Sequence, residues 1–439
     1  MTAYRNTARW RRGLALPVLA VTTSLVITAC GGSSSDDEAS GSNDDSSSSS
    51  TGSDSAFSVN VDDCEDPEAA TETIEGTLKI GYSAPLSGPV AGVVEEALIG
   101  FRAGLKAIND AGGINGVKVE AIYKDDQFAP DKAKANGTEF IEKEDVDTLD
   151  TFGAGALSGM VDDQNAACVP MLYPSSSDPQ YSDIETYPWT VQYLPSAAVE
   201  TKFLVKYLQS KVSDPTIGIV ENAAASGKAA AEAFKAAAED AGLTIVKEVE
   251  DTDPAAAATT MKEAGVNVIY HAGVVGTCGA FDTARERIDY HPDLELKASN
   301  CVSAEEYIAA GPGADGVTLA KYLKDTGDAT YANDEDVKEY VAAIGSDGDP
   351  NDTITQSGWM VAMLLKTTLQ QAADSDEGLT RKSIIEAARD QDYAAPLLMP
   401  GINWVSSATR PAGVSGFQAV SWDADQQKFV ADGDVISVD

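Results

Sequence analysis

A chain of 439 residues with 43% hydrophobic content buries a sizeable core, and its length points to more than one domain or one large two-lobed unit. A net charge of −39, from 31 Lys and Arg against 70 Asp and Glu, excludes nucleic acid and anionic lipid as main partners, because such a field repels both. The surface reads as acidic and well hydrated, as a salt-adapted source would favour.

At the N-terminus, Arg5, Arg9, Arg11 and Arg12 precede the apolar stretch "GLALPVLAVTTSLVITA", which ends at Cys30. A positive region before a short apolar run is a secretory signal, expected over residues 1–29, rather than a membrane span. "ITAC" resembles the lipobox of bacterial lipoproteins, which implies cleavage before Cys30, lipidation of its sulfur and anchoring at the outer face of the cytoplasmic membrane. Residues 30–63 open with a Gly/Ser/Asp tract that buries too little apolar surface to offset its ordering entropy, and they read as a tether. The folded part is expected over 64–439. Cys64, Cys168, Cys278 and Cys301 remain, an even number in a disulfide-permissive compartment. Three pairings are open. Cys278 with Cys301 is favoured because both follow apolar strand-like runs, and free buried thiols stay open beside it.

From Leu78 the pattern alternates. "LKIGYSA" reads as a buried strand, "EEALIGFRAGLKAINDAGGING" as an amphipathic helix closed by glycines, and "VKVEAIYKDD" as the next strand. "PDKAKANGTEFIEKEDV" is helical, "DTLDTFGAGA" strand and loop, "SGMVDDQNAAC" helix, and "VPMLYPSS" strand. After "PSAAVE" the rhythm restarts with "ETKFLVKYLQSKV", "TIGIVEN", "SGKAAAEAFKAAAEDAG", "TIVKEVE", "PAAAATTMKEAG" and "VNVIYHAG". "DVKEYVAAIG" and "SGWMVAMLLKTTLQQAADSD" add helices, and "SGFQAVSWDADQQKFV" reads as a closing hairpin. Strands alternating with helices predict an α/β fold with doubly wound parallel sheets, in two successive halves.

"YSAPLSGPVA", "INDAGGINGVKVEAIYKDDQFAPDKA" and "VPMLYPSSSDP" together resemble the type I periplasmic-binding fold, specifically the extracytoplasmic solute receptors of ABC importers of the branched-chain amino-acid (leucine/isoleucine/valine) class. The resemblance runs from about Leu78 to the C-terminus and is sharpest in the first half. It implies two lobes joined by a three-crossover hinge, with lobe 1 over about 76–192 and 320–403 and lobe 2 over about 193–319 and 404–439. The crossovers fall near Gln192–Ser196, Thr318–Tyr322 and Trp404–Pro411. Asn109, Gly112, Gly113 and Gly116 end a helix and turn into the next strand, a structural role. Ser87 and Gly88 lie at the cleft end of the sheet, where open α/β folds bind ligands.

The resemblance also places ligand contacts. Ser175, Ser176 and Ser177 match a loop that offers hydroxyl and main-chain donors to an anionic group at a helix N-terminus, although three serines before Asp178-Pro179 also suit a capped turn. In the other first-lobe loop Gly153, Ala154 and Gly155 offer backbone alone, because Ala154 stands where a hydroxyl is usual, and Ser158 is a substitute donor or a simple cap. Val93 and Ala225 fall where aromatic residues often hold a solute side chain. Cys301 falls near the place of an acid that pairs with a ligand ammonium, with Glu305 and Asp282 as candidate replacements. An ammonium buried without a counter-charge is costly, so these departures loosen the amino-acid assignment. His271, at a strand end, reads as a hydrogen-bonded structural residue, since no metal-ligand spacing surrounds it, and His291-Pro292 as a turn.

A receptor that hands a small solute to a membrane permease accounts for signal, tether, two lobes and loop serines together. The expected solute is a branched-chain amino acid or a related compound, with amides, urea-like molecules and short organic acids as alternatives. No cofactor and no metal are expected, and the resemblance implies a monomer. An exported enzyme is disfavoured, since neither a G-x-S-x-G elbow nor an HExxH motif occurs. A ligand-sensing module for a membrane kinase uses the same features and stays open.

Overall fold

Five short apolar runs, β1 (Thr77–Ala84), β2 (Lys118–Asp125), β3 (Thr148–Thr151), β4 (Met171–Leu172) and β5 (Thr190–Val191), form a parallel sheet in the order β2-β1-β3-β4-β5. The computed structural model describes residues 57–438, all within one unit, Asp54–Asp439. The signal, the Cys30 site and most of the tether lie outside the described residues. Leu78, Ile80, Tyr82 and Ala84 on one face of β1 are buried, and so are Gly81 and Ser83 on the other, as expected of a strand covered on both faces by helices. Helices Ala91–Asp110 and Thr353–Ala373 pack on each other, and Pro130–Glu139 packs on Ala154–Ala166.

The rhythm restarts with β6 (Ile217–Glu221), β7 (Ile245–Glu250), β8 (Val268–Ala272), β9 (Leu294–Lys297) and β10 (Thr318–Lys321), all parallel. The chain then returns to the first sheet's helices and makes a small antiparallel sheet of β11 (Gln391–Tyr393), β12 (Trp404–Ser406) and β13 (Gly413–Val414). It ends with β14 (Gly416–Asp423), β15 (Lys428–Ala431) and β16 (Ile436–Ser437). The second sheet runs β15-β14-β10-β9-β8-β6-β7, with β16 on β14. Its last two strands are antiparallel, so the hairpin read from "SGFQAVSWDADQQKFV" gives an otherwise parallel sheet a mixed edge.

The backbone therefore passes between the two sheets three times: from β5 into helix Ala197–Lys211, from β10 into the stretch where Lys324 N–H bonds Leu397 carbonyl, and from β13 into β14. Two disulfides are present, Cys64–Cys168 and Cys278–Cys301. No helix among the described residues is long and apolar enough to cross a membrane.

Candidate functional site

Both parallel sheets point the C-terminal ends of their strands at one cavity of about 150 Å³. This is where ligands bind in open α/β sheets, because the loops that follow the strands are free to vary there. From the first lobe come Tyr82, Phe128, Phe152, Gly153 and Ser175 to Ser177, together with Thr353, Ile354 and Ser357 at the start of helix Thr353–Ala373. The second lobe supplies Ser226, Val274, Val275, Ser299, Asn300 and Lys321. Tyr193 and Tyr322 line it from the crossing strands.

The serine loop is held by its own backbone. Tyr173 takes a left-handed φ of 62°, costly for a bulky residue, and is fixed there by a 2.6 Å bond between its Oη and Thr368 Oγ1 and by edge-on packing against Trp404. Ser175 N–H donates to Thr151 carbonyl at 3.0 Å, and Gly153 N–H donates to Ser175 carbonyl at 3.1 Å. Ser176 Oγ accepts from Asp178 N–H at 3.3 Å, so this hydroxyl caps the turn. Ser177 is 2% exposed, and its carbonyl accepts from Ala197 N–H at 2.8 Å, which ties the serine loop to the first helix of the other lobe. Its hydroxyl takes no partner among the described residues. Buried Tyr193 Oη sits instead beside the hydroxyls of Ser357 and Tyr322. A hydroxyl left without a protein partner at a cavity is what a polar group of a solute satisfies.

The adjacent Asp125–Asp126 pair shapes the rim. Asp125 accepts from Leu86 N–H, Ser87 N–H and Ser87 Oγ, and the Ser87 hydroxyl above all holds its carboxyl below the usual range. Asp126 accepts from Ser83 Oγ and Phe128 N–H, both at 2.9 Å, while burial pushes its pKa up. Gln127 and Phe128 are left-handed as a result, and Phe128 stays 42% exposed at the cavity edge. Beside it Gly153, at φ 95°, starts helix Ala154–Ala166 without a side-chain cap, leaving first-turn N–H groups unmatched by side chains at the cavity.

In the second lobe the Cys278–Cys301 bridge links the loops that carry Val274–Val275 and Ser299–Asn300. Gly273 lies against it so closely that a Cβ there would be 2.7 Å from Cys301 Sγ and 2.8 Å from Cys278 Sγ. Buried Glu200 accepts from Ser299 N–H at 2.7 Å and Ser299 Oγ at 2.9 Å, fixing the same loop from behind. Burial is the main cause that moves the Glu200 carboxyl from 4.5 to about 7, against the lowering effect of those two bonds. A folded pKa above the unfolded one means that stability falls as pH rises from about 4.5 through 7, since the folded state must give up a proton it holds more tightly. Glu200→Gln keeps both contacts to Ser299 without titrating. The wild type is therefore expected to lose about 3 kcal/mol relative to this variant between pH 4.5 and pH 8 in denaturant unfolding. A constant gap across that range would contradict the perturbed carboxyl.

Of the residues singled out from sequence, Ser175, Ser176 and Ser177 line the cavity together with Gly153. The others lie outside its lining. Ala154 is buried in the first turn of its helix, and Gly155 follows it facing Pro130. Ser158 is exposed and donates back to Gly155 carbonyl at 2.7 Å. Val93 is half-buried in helix Ala91–Asp110, whose residues Ala97 and Phe101, with Val90 just before it, line the cavity instead. Ala225 is exposed, and its neighbour Ser226 lines the cavity. Cys301 is fully buried in its disulfide between the lining residues Asn300 and Val302. Asp282 is buried against Lys297, with Nζ 2.6 Å from Oδ1, and Glu305 is exposed. His271 is fully buried, its Nε2 3.1 Å from Asp251 Oδ2, and burial lowers its pKa. Ser87 spends its hydroxyl on Asp125.

Sequence reasoning missed the aromatic wall of Tyr82, Phe101, Phe128, Phe152, Tyr193 and Tyr322, and it missed Lys321. Phe128 carried a signal, since an aromatic directly after "KDDQ" at a strand's cleft end has no core to enter. The others read as ordinary core residues.

Residues 77–427 match the model of a family described as periplasmic binding protein. The chain is 24% identical over 306 residues to the Leu/Ile/Val-binding protein homolog 3 of Brucella melitensis, spanning 68% of this chain and 80% of that protein. It is 22% identical over 335 residues to a leucine-, isoleucine-, valine-, threonine- and alanine-binding protein of Pseudomonas aeruginosa, spanning 73% and 84%. Among solved structures, a branched-chain amino-acid ABC transporter protein from Thermus thermophilus with bound valine superposes with a TM-score of 0.73 at 16% identity, covering 82% of this chain and 96% of the other. A solute-binding protein from R. palustris in complex with benzoate gives 0.68 at 19% identity, covering 82% and 98%. At these identities the solved structures speak for the fold.

Proposed function

We propose, from the premise that the chain belongs to the periplasmic binding protein family, that it is the solute receptor of an ABC importer, which captures a small solute between its lobes and delivers it to a membrane permease. The single observation that carries this reading is the interlobe cavity of about 150 Å³, walled by aromatic and aliphatic side chains and lined by the hydroxyl-bearing residues Ser177 and Tyr193. A mostly apolar pocket with a few convergent polar groups is the usual form of a small-molecule site. Nothing in it needs a catalytic group, since capture by hinge closure requires only differential contacts in the closed state.

The family's solute receptors work outside the cytoplasm, in keeping with the expected signal. Attachment through lipid on Cys30, with residues 30–63 as tether and a monomeric folded part, completes the reading. The relatives' names cover branched-chain amino acids, and the structural neighbours include proteins with bound valine, bound benzoate and a fatty-acid transporter assignment. The solute is accordingly a small molecule with one apolar body and one polar group.

A thermal-shift screen of amino acids, amides and carboxylic acids tests this. A solute at a hundredfold excess over its Kd stabilises the whole protein by about 2.7 kcal/mol. Ser177→Asp places a carboxylate at the unmatched hydroxyl and is expected to weaken the best solute about 100-fold, as loss of a buried polar match combined with a new charge does. Unchanged binding in this variant would move the site elsewhere.

A further inference from the structure

We propose that the solute is an apolar carboxylate that carries no ammonium group, with Lys321 as its counter-charge. This rests on the reading of the interlobe cavity as the solute site and narrows the class it accepts.

The charge inventory of the cavity is one-sided. No Asp or Glu is among its lining residues, whereas Lys321, at the C-terminal end of β10, is. Lys321 is only 7% exposed. It makes no hydrogen bond or ion pair with a described residue, and its ammonium lies 5.5 Å from the Phe429 ring centroid. Asp325 and Asp328 act on it only through space, and burial dominates, pushing its pKa down. The buried carboxylate nearest in role, Glu200, is committed to Ser299 on the far side of the lining.

A buried ammonium without a counter-charge costs several kcal/mol. A zwitterionic amino acid would bring its ammonium into a cavity whose lining includes a lysine and no acid to receive it. A carboxylate without an ammonium does the reverse. It supplies the charge that Lys321 lacks and accepts from the Ser177 hydroxyl. The rest of the ligand meets aromatic side chains in a space of about 150 Å³, on the order of a cavity that holds one benzene ring.

Calorimetric titration of the whole protein with matched solutes tests the proposal. Leucine, 4-methylpentanoate and 4-methylpentanamide share one skeleton and differ in the ammonium and the carboxylate, and benzoate with benzamide repeats the carboxylate comparison on a ring. The expected result is that, in at least one set, the carboxylate binds about 100-fold more tightly than its amide, with leucine weaker than 4-methylpentanoate. Lys321→Met keeps a buried unbranched stem and removes the charge. It is expected to erase the carboxylate-over-amide preference, a readout that a purely structural role would leave in place. Leucine or an amide binding more tightly than the matched carboxylate overturns the proposal while leaving the cavity as the solute site. So does a preference that survives in Lys321→Met. Failure of every amino acid, amide and carboxylate to bind overturns the site reading and the proposal with it.

Discussion

The Cys64→Ala/Cys168→Ala double variant is expected to unfold about 4 kcal/mol more easily than the wild type, because the bridge closes a loop with a sequence separation of 104 and so constrains the unfolded chain strongly. The bridge also fastens the N-terminal segment to the body. Glu65 N–H donates to Ala166 carbonyl at 2.9 Å, Ile74 N–H donates to Leu379 carbonyl at 2.8 Å, and both disulfide residues are buried. Cys168 sits at φ 51°, immediately before the strand that ends in the serine loop. Denaturant unfolding under oxidising conditions checks the figure. A loss below about 1 kcal/mol would mean that the unfolded chain is already restricted without the bridge. Solute affinity is expected to persist in the folded fraction, because neither cysteine lines the cavity.

Gly358→Ala carries the second large effect. Helices Ala91–Asp110 and Thr353–Ala373 approach so closely that a Cβ at Gly358 would overlap the Ala97 carbonyl oxygen, and one at Gly100 would overlap the Thr355 carbonyl oxygen. Neither obstacle is a flexible side chain, so the helices must separate, at a cost of about 3 kcal/mol. The same helix presents Thr353, Ile354 and Ser357 to the cavity, so its displacement is expected to weaken solute binding as well. Gly92→Ala is the internal control. It lies in helix Ala91–Asp110 with nothing within 4 Å of its added Cβ, and helix propensity predicts a neutral or slightly stabilising change. Thermal melting of the three proteins side by side decides the matter. Equal melting temperatures for Gly358→Ala and Gly92→Ala would show that the helices have room.

The alternation of strand and helix was legible because each parallel strand is a short apolar run and each helix an amphipathic one, as "LKIGYSA" and "EEALIGFRAGLKAIND" show. The serine loop was legible too, since Pro174 and three hydroxyls after an apolar run cannot continue a buried strand. The residues around it were displaced by one to four positions from the cavity: Val90 and Ala97 instead of Val93, Ser226 instead of Ala225, and Ser299 and Asn300 instead of Cys301. Spacing along one chain does not set the rotation of a helix or the reach of a loop at that resolution. Lys321 was hidden for a different reason. It falls in the crossover expected near Thr318–Tyr322, and only the two-sheet arrangement buries it beside the cavity. Glu200 carries no signal of its own in the sequence, and its role emerges only when Ser299, 99 residues later, is brought against it.

The position of the bound solute tests the account most directly. A crystal structure of the whole protein with the solute that stabilises it most is predicted to show that molecule between the lobes, its polar group within hydrogen-bond distance of Ser177 and its apolar body against Tyr82, Phe128 and Tyr322. A solute seated elsewhere, for instance in the groove formed by Pro195, Ser196 and Pro411 to Val414, would contradict it.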